Sequence, residues 1–98
     1  MLDKLTQLDF APLVTDRFRL VESTVTLELE LLSAEAATHG GHRASARPPF
    51  SLIFRGPLEP LLPQRIYSLQ HPALGVLDIF LVPIGPDQSG QRYQAIFS

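Results

Sequence analysis

Apolar and polar residues alternate along much of this chain, most strictly in Thr24-Val-Thr-Leu-Glu-Leu-Glu-Leu31. Val25, Leu27, Leu29 and Leu31 share one side of that stretch, and Thr24, Thr26, Glu28 and Glu30 share the other. A strand with one buried and one wet face requires this period of two. Arg17–Glu22 shows a shorter version, with Phe18 and Leu20 on one side. After Pro48 come Phe50–Arg55, Arg65–Gln70, Val76–Val82 and Arg92–Phe97, rich in β-branched and aromatic residues and separated by Gly/Pro clusters. Such punctuated runs predict short paired strands, here read as one antiparallel meander with Ile79–Val82 at its centre. The pattern thus predicts strands over Arg17–Glu22, Thr24–Leu32 and the four later runs. A rival helix through Glu28–Ala37 rests only on intrinsic propensity, which tertiary pairing overrides.

Ahead of these strands, Leu2–Val14 reads as a short helix capped by Thr6 and Asp9, three residues apart as in a capping box. Pro12 limits its length. Leu8, Phe10 and Leu13 are expected to plug one end of the β-structure. The residues from Ala36 to Pro49 combine small side chains, glycines and prolines and predict a flexible loop. The expected architecture is one domain over residues 1–98, mostly β. It is a small antiparallel sandwich or partly open barrel of about six strands with a short N-terminal helix. Its core is read as Leu20, Val25, Leu27, Leu29, Phe50, Leu52, Phe54, Leu77, Ile79, Leu81, Tyr93 or Ile96, and Phe97.

Composition narrows the function classes. With 45% hydrophobic residues the chain has material for one core, and without cysteine it has neither disulfides nor thiolate metal sites. A net charge of -2, with the eight Lys and Arg scattered singly, argues against a nucleic-acid partner. The first residues lack the apolar core of a signal peptide, and no run approaches the ~20 apolar residues of a membrane helix. The expected location is cytoplasmic, or exported together with an assembly, with no membrane partner.

Candidate chemistry is thin. His39-Gly-Gly-His42 is a pair in a glycine-rich stretch, short of the three or four ligands a zinc site uses. No metal or other cofactor is expected. No serine sits in a nucleophile elbow, no glycine cluster forms a phosphate loop, and Glu28 and Glu30 read as solvent-facing charges on one strand face. An enzyme is therefore not expected. The more telling pattern is a second apolar row, Val76, Phe80, Val82 and Ile84, on the far side of Leu77, Ile79 and Leu81 and interrupted by Asp78. Either it is covered within the fold, or it waits for a partner.

Thr6–Phe10, Pro49–Pro57, Leu62–Pro72 and Phe80–Pro86 with Tyr93 resemble an uncharacterised bacterial family of about a hundred residues. Genes of that family tend to lie near phage-tail-collar-like fibre proteins. The resemblance implies a part in a fibre or tail-like assembly and brings no catalytic residues. The leading expectation is a non-enzymatic structural or interaction module. It would self-associate or bind a protein partner, with a tail-collar-like fibre protein as candidate. The contact would form through a sheet edge at Arg17–Glu22 or Gln91–Ser98, using Ile53, Phe80, Val82, Tyr93, Ile96 and Phe97. The alternative is a small-molecule or lipid-binding β-barrel lined by Phe50, Phe54, Tyr67 and Phe80.

Overall fold

The computed structural model of the chain describes residues 5–21, 27–36 and 49–97. A helical turn α1 (Gln7–Phe10) runs into a 3-10 turn (Ala11–Leu13). Six strands follow: β1 (Arg17–Leu20), β2 (Glu28–Ala36), β3 (Phe50–Gly56), β4 (Arg65–His71), β5 (Gly75–Pro86) and β6 (Gln91–Phe97). All pairings are antiparallel and the sheet closes on itself in the order β1-β2-β3-β6-β5-β4.

Closure corrects two expectations. The strands after Pro48 do not form one meander, because β3 pairs with β6 while β4, β5 and β6 follow in succession. Neither expected edge strand is an edge: β1 lies between β2 and β4, and β6 between β3 and β5. A closed barrel satisfies main-chain groups that an open sheet would leave exposed, so it needs no charged edge to deter association.

Alternation sorts each strand's side chains. Phe50, Leu52 and Phe54 of β3 and Leu77, Ile79 and Leu81 of β5 are at most 3% exposed and fill the interior with Phe18, Leu29, Leu31, Tyr67 and Leu69. Strand β2 holds through Ala36 rather than ending near Leu32, and no helix forms within Glu28–Ala36. A register shift between Leu31 and Ser33 leaves Leu32 as an extra residue. The bulge resets the parity so that Ala34, opposite Leu52, packs toward the core. Strand β5 likewise outruns its expected end at Val82, continuing to Pro86 through a shift between Pro83 and Gly85, where Gly85 takes a φ of 100°. Proline is tolerated at such a bulge, where the ladder is already interrupted. Val25 and the loop through His39 and His42 fall outside the described residues.

Both ends of the barrel are stoppered. At one, the backbone N–H and hydroxyl of Thr6 donate to Asp9 at 2.7 and 3.2 Å, and Phe10 enters the core between Phe50 and Phe97, each ring centroid 5.7 Å away. Leu8 contributes nothing to this plug, being 75% exposed. It lies two residues from Phe10, so one helical turn cannot turn both inward. The side-chain amide of Gln7 donates to the Ala34 carbonyl at 2.8 Å, tying the helix to β2. At the other end, Leu62 is buried and its N–H donates to the Tyr93 hydroxyl at 3.0 Å, while the Tyr67 hydroxyl donates to the Pro63 carbonyl. Two tyrosines thus fasten the proline-rich crossing between β3 and β4 over the mouth.

Candidate functional site

The barrel wall made by β4, β5, β6 and β3 carries the feature that folding leaves unexplained. Residues of an antiparallel ladder that face each other project to the same side. Ile66 faces Phe80, Val82 faces Gln94, and Gln94 faces Ile53. Ile66 and Phe80 therefore form one row across β4 and β5, Val82, Gln94 and Ile53 form a second beside it, and Ile96 lies on the same outer face of β6 two residues beyond Gln94. Ile66, Phe80 and Ile96 are 57%, 47% and 69% exposed, while Val82 and Ile53 are half-buried.

Polar groups bound the patch at both ends. Asp78 lies two residues before Phe80 and accepts a hydrogen bond from the Ser68 hydroxyl at 2.7 Å. The two residues are cross-strand partners on the outer face, so the carboxylate sits in solvent within the otherwise apolar row. Arg55 and Arg92 face each other at the opposite end. The Arg55 guanidinium donates to Asp87 at 2.9 Å and Glu30 at 3.3 Å. Arg92 Nε donates to the Gly85 carbonyl at 3.4 Å. The hydrogen bond to Asp87 raises the Arg55 pKa most strongly. The Ser89 N–H, then the Arg55 side chain, hold the Asp87 carboxyl below the usual carboxylate value. This network ties the β5–β6 turn to β3 and β2.

Four of the six residues expected to contact a partner, Ile53, Phe80, Val82 and Ile96, come together on this wall. The other two do not. Tyr93 and Phe97 are 1% and 7% exposed. Tyr93 holds Leu62, and Phe97 stacks on Phe50 with centroids 4.6 Å apart and planes 5° from parallel. The cause is parity: Tyr93, Ala95 and Phe97 share the inner face of β6, and Ile96 lies between them on the outer face. Ile66 belongs to the site and was missing from the expected set. Its signal was present in Arg65-Ile-Tyr-Ser-Leu69, where turning Tyr67 and Leu69 inward obliges Ile66 to face out. Of the four residues expected to line a ligand cavity, Phe80 is outside. Phe50, Phe54 and Tyr67 are buried at 0–1%, with Phe54 edge-on to Phe18 at 5.3 Å.

A second surface lies on the β1 side. An open depression of about 480 Å³ is lined by Arg17, Leu27, Glu28, Glu30, Arg55, Gly56, Pro57 and Ser89. Glu30 there is spent on Arg55. Nearby, His71 is buried with its ring 4.7 Å from Phe18. Its Nδ1 accepts from the Ala73 N–H at 3.0 Å, so Nε2 carries the proton donated to Asp16 at 2.9 Å. The pair anchors the β4–β5 turn beside the entry to β1. Among the described residues, no three His, Cys, Asp or Glu side chains gather to hold a metal ion, and no helix is long and apolar enough to cross a membrane.

No curated protein and no solved structure matches the chain. One family does match, over residues 5–97, and the chain belongs to it: DUF6916, a domain of unknown function.

Proposed function

We propose that this chain is a non-enzymatic structural module that docks onto a larger protein through the outer wall of β4, β5, β6 and β3. The observation that carries the reading is the exposed apolar set Ile66, Phe80 and Ile96 on the outer faces of adjacent strands of a barrel that already has a buried core and two stoppered ends. Single exposed apolar residues are ordinary on protein surfaces, but contiguous ones mark interaction sites. Closure moves the contact from a sheet edge to a sheet face, since main-chain pairing is already used around the barrel. The gene neighbourhood of the family that the sequence resembles supplies the candidate partner, a tail-collar-like fibre protein. On this reading the domain is a subunit or accessory of a bacterial fibre or phage-tail-like assembly.

The test is a calorimetric titration of the chain with a tail-collar-like fibre protein. We expect a stoichiometric complex in the micromolar range or tighter, weakened more than about tenfold by Phe80→Asp, because a central desolvated anchor dominates such contacts. A complex that tolerates Phe80→Asp and Ile96→Asp alike, or no complex at all, overturns the proposal.

A further inference from the structure

We infer that His71 and the Ala73 amide form a proton-sensitive latch on the β4–β5 turn. A proton on His71 Nδ1 unfastens the turn, while the ring keeps its hold on Asp16. The latch is independent of the docking face and lies at the end of the barrel that α1 closes. There the Phe18 ring stands 4.7 Å from His71 and 6.5 Å from Phe10.

His71 is only 5% exposed. A neutral imidazole offers one donor and one acceptor, and here both are matched. Nε2–H donates to Asp16 at 2.9 Å, and Nδ1 accepts from the Ala73 N–H at 3.0 Å. The imidazolium has two donors and no acceptor. One added proton therefore acts on the two contacts in opposite ways. It makes the Asp16 contact an ion pair, a stronger kind of hydrogen bond. It also sets Nδ1–H against the Ala73 N–H, donor against donor, and that contact must open.

The turn is the part free to move. The main chain of Asp16 is held on both sides: its N–H donates to the Leu13 carbonyl at 2.9 Å, and its carbonyl accepts from the Leu31 N–H at 2.9 Å. Thr15 just before it has a φ of 80°, which a β-branched residue rarely adopts, and its N–H donates to the Leu31 carbonyl at 2.7 Å. Such a conformation persists only where the surroundings over-determine it, so this corner keeps the carboxylate in place. The turn has fewer ties. Pro72 has no N–H, and the Leu74 N–H donates within the turn to the His71 carbonyl at 3.2 Å. Ala73 is exposed, so its amide can pass to water once the ring lets go. Leu74, half-buried against the core, is the apolar side chain that opening would loosen.

The charged groups on the surrounding elements are engaged elsewhere or face solvent. On β1, Arg17 and Arg19 flank Phe18 and are exposed, with Arg19 donating to Gln70. Arg65, at the far end of β4, lies over the Tyr67 ring. On β5, Asp78 accepts from Ser68, and on α1, Asp9 accepts from Thr6. The ring thus answers to one carboxylate and one amide.

The test is a pH titration of the whole isotopically labelled chain from about pH 8 to about pH 5, the range in which imidazoles change charge. Ring nitrogen shifts report protonation of Nδ1. Amide protection factors, corrected for the intrinsic pH dependence of exchange, report the turn. We expect Ala73 and Leu74 to lose protection more than about tenfold, with the midpoint of Nδ1 protonation, while Tyr67 and Ile79 keep theirs. In His71→Asn a side-chain oxygen can take the Ala73 N–H as in an Asx-turn, and the turn should stay closed throughout. Asp16→Asn leaves an acceptor for Nε2–H without a charge, and opening should still follow Nδ1 protonation there, which separates the ring from Asp16 as the trigger. The latch is overturned if Nδ1 stays unprotonated throughout the wild-type titration, or is protonated while Ala73 keeps its protection. Loss of the Tyr67 and Ile79 amides together with the turn, or opening that persists in His71→Asn, overturns it equally. So does a turn that stays closed in Asp16→Asn with Nδ1 protonated. The wild-type titration is decisive even if a variant fails to fold.

Discussion

Strand β5 has two faces built from nearly the same residues and placed in opposite surroundings. Leu77, Ile79 and Leu81 are 3%, 1% and 0% exposed, while Val76, Phe80 and Ile84 are 54%, 47% and 38% exposed. The inner residues belong to one buried cluster to which all six strands contribute. The outer ones meet water and one another. The contrast separates two sets: the inner one stabilises the fold, and the outer one is exposed surface that we propose a partner covers. Phe54 and Phe80 should therefore respond to substitution in opposite ways.

The largest effect is expected inside. Phe54→Ala removes a ring with no exposure that sits edge-on to Phe18. Emptying such a site costs about 3–5 kcal/mol, against a total of ~5–15 kcal/mol for a natural domain. Urea denaturation should show the midpoint falling by a large fraction of its value. A loss under about 1 kcal/mol would mean that the interior is not packed as described.

Tyr93→Phe should come next. It keeps the ring in the core but leaves the Leu62 N–H without its acceptor. A buried donor left unmatched costs about 1–3 kcal/mol. The loss should be accompanied by faster amide exchange within residues 57–64, because that hydrogen bond fastens the crossing. Unchanged exchange there would show that Pro63, held by Tyr67, suffices alone.

On the outer face, Phe80→Asp should change folding stability by no more than ~0.5 kcal/mol, as is usual for surface positions, while weakening the proposed partner binding more than about tenfold. Should thermal unfolding place it near Phe54→Ala, the distinction between the two faces would collapse.

The smallest effect concerns acid. The folded state holds the Asp87 carboxyl below the ordinary value of 3.8, chiefly through the Ser89 N–H and then through Arg55. A depressed folded pKa means that the stabilisation is present above the unfolded value and is lost as pH falls through the folded one. The group is partly exposed, so solvent and salt screen its contribution. Below about pH 4 the amides of Ser89 and Gly90 should exchange faster in the wild type, and Asp87→Asn should remove that pH dependence. Identical profiles for the two proteins would show that the turn is held without the carboxylate.

Much of this was legible along the chain because local alternation states which residues share a face. It placed Leu77, Ile79 and Leu81 opposite Phe80 and Val82, and it foresaw the Thr6–Asp9 cap. It was weaker where two periods compete or where an extra residue intervenes. The bulge at Leu32 carries β2 past the point where its alternation ends, and a sequence rich in helix formers remains a strand because β3 pairs along it. Tyr93 and Ile96 are both good strand residues three positions apart, and only the pairing of β6 with β3 and β5 shows which of them faces in.

The sequence by itself determined the strands, their antiparallel character, the small helix and the existence of a second apolar row, because each follows from spacing over a few residues. Tertiary structure alone decided that β3 pairs with β6 rather than β4, and that the sheet closes and abolishes its edges. It also brought Ile66, Phe80, Ile96 and Ile53, drawn from four separate strands, onto one wall. Those outcomes depend on strand order and register between segments far apart in the chain, and pairing over such distances leaves no periodic trace within any one of them.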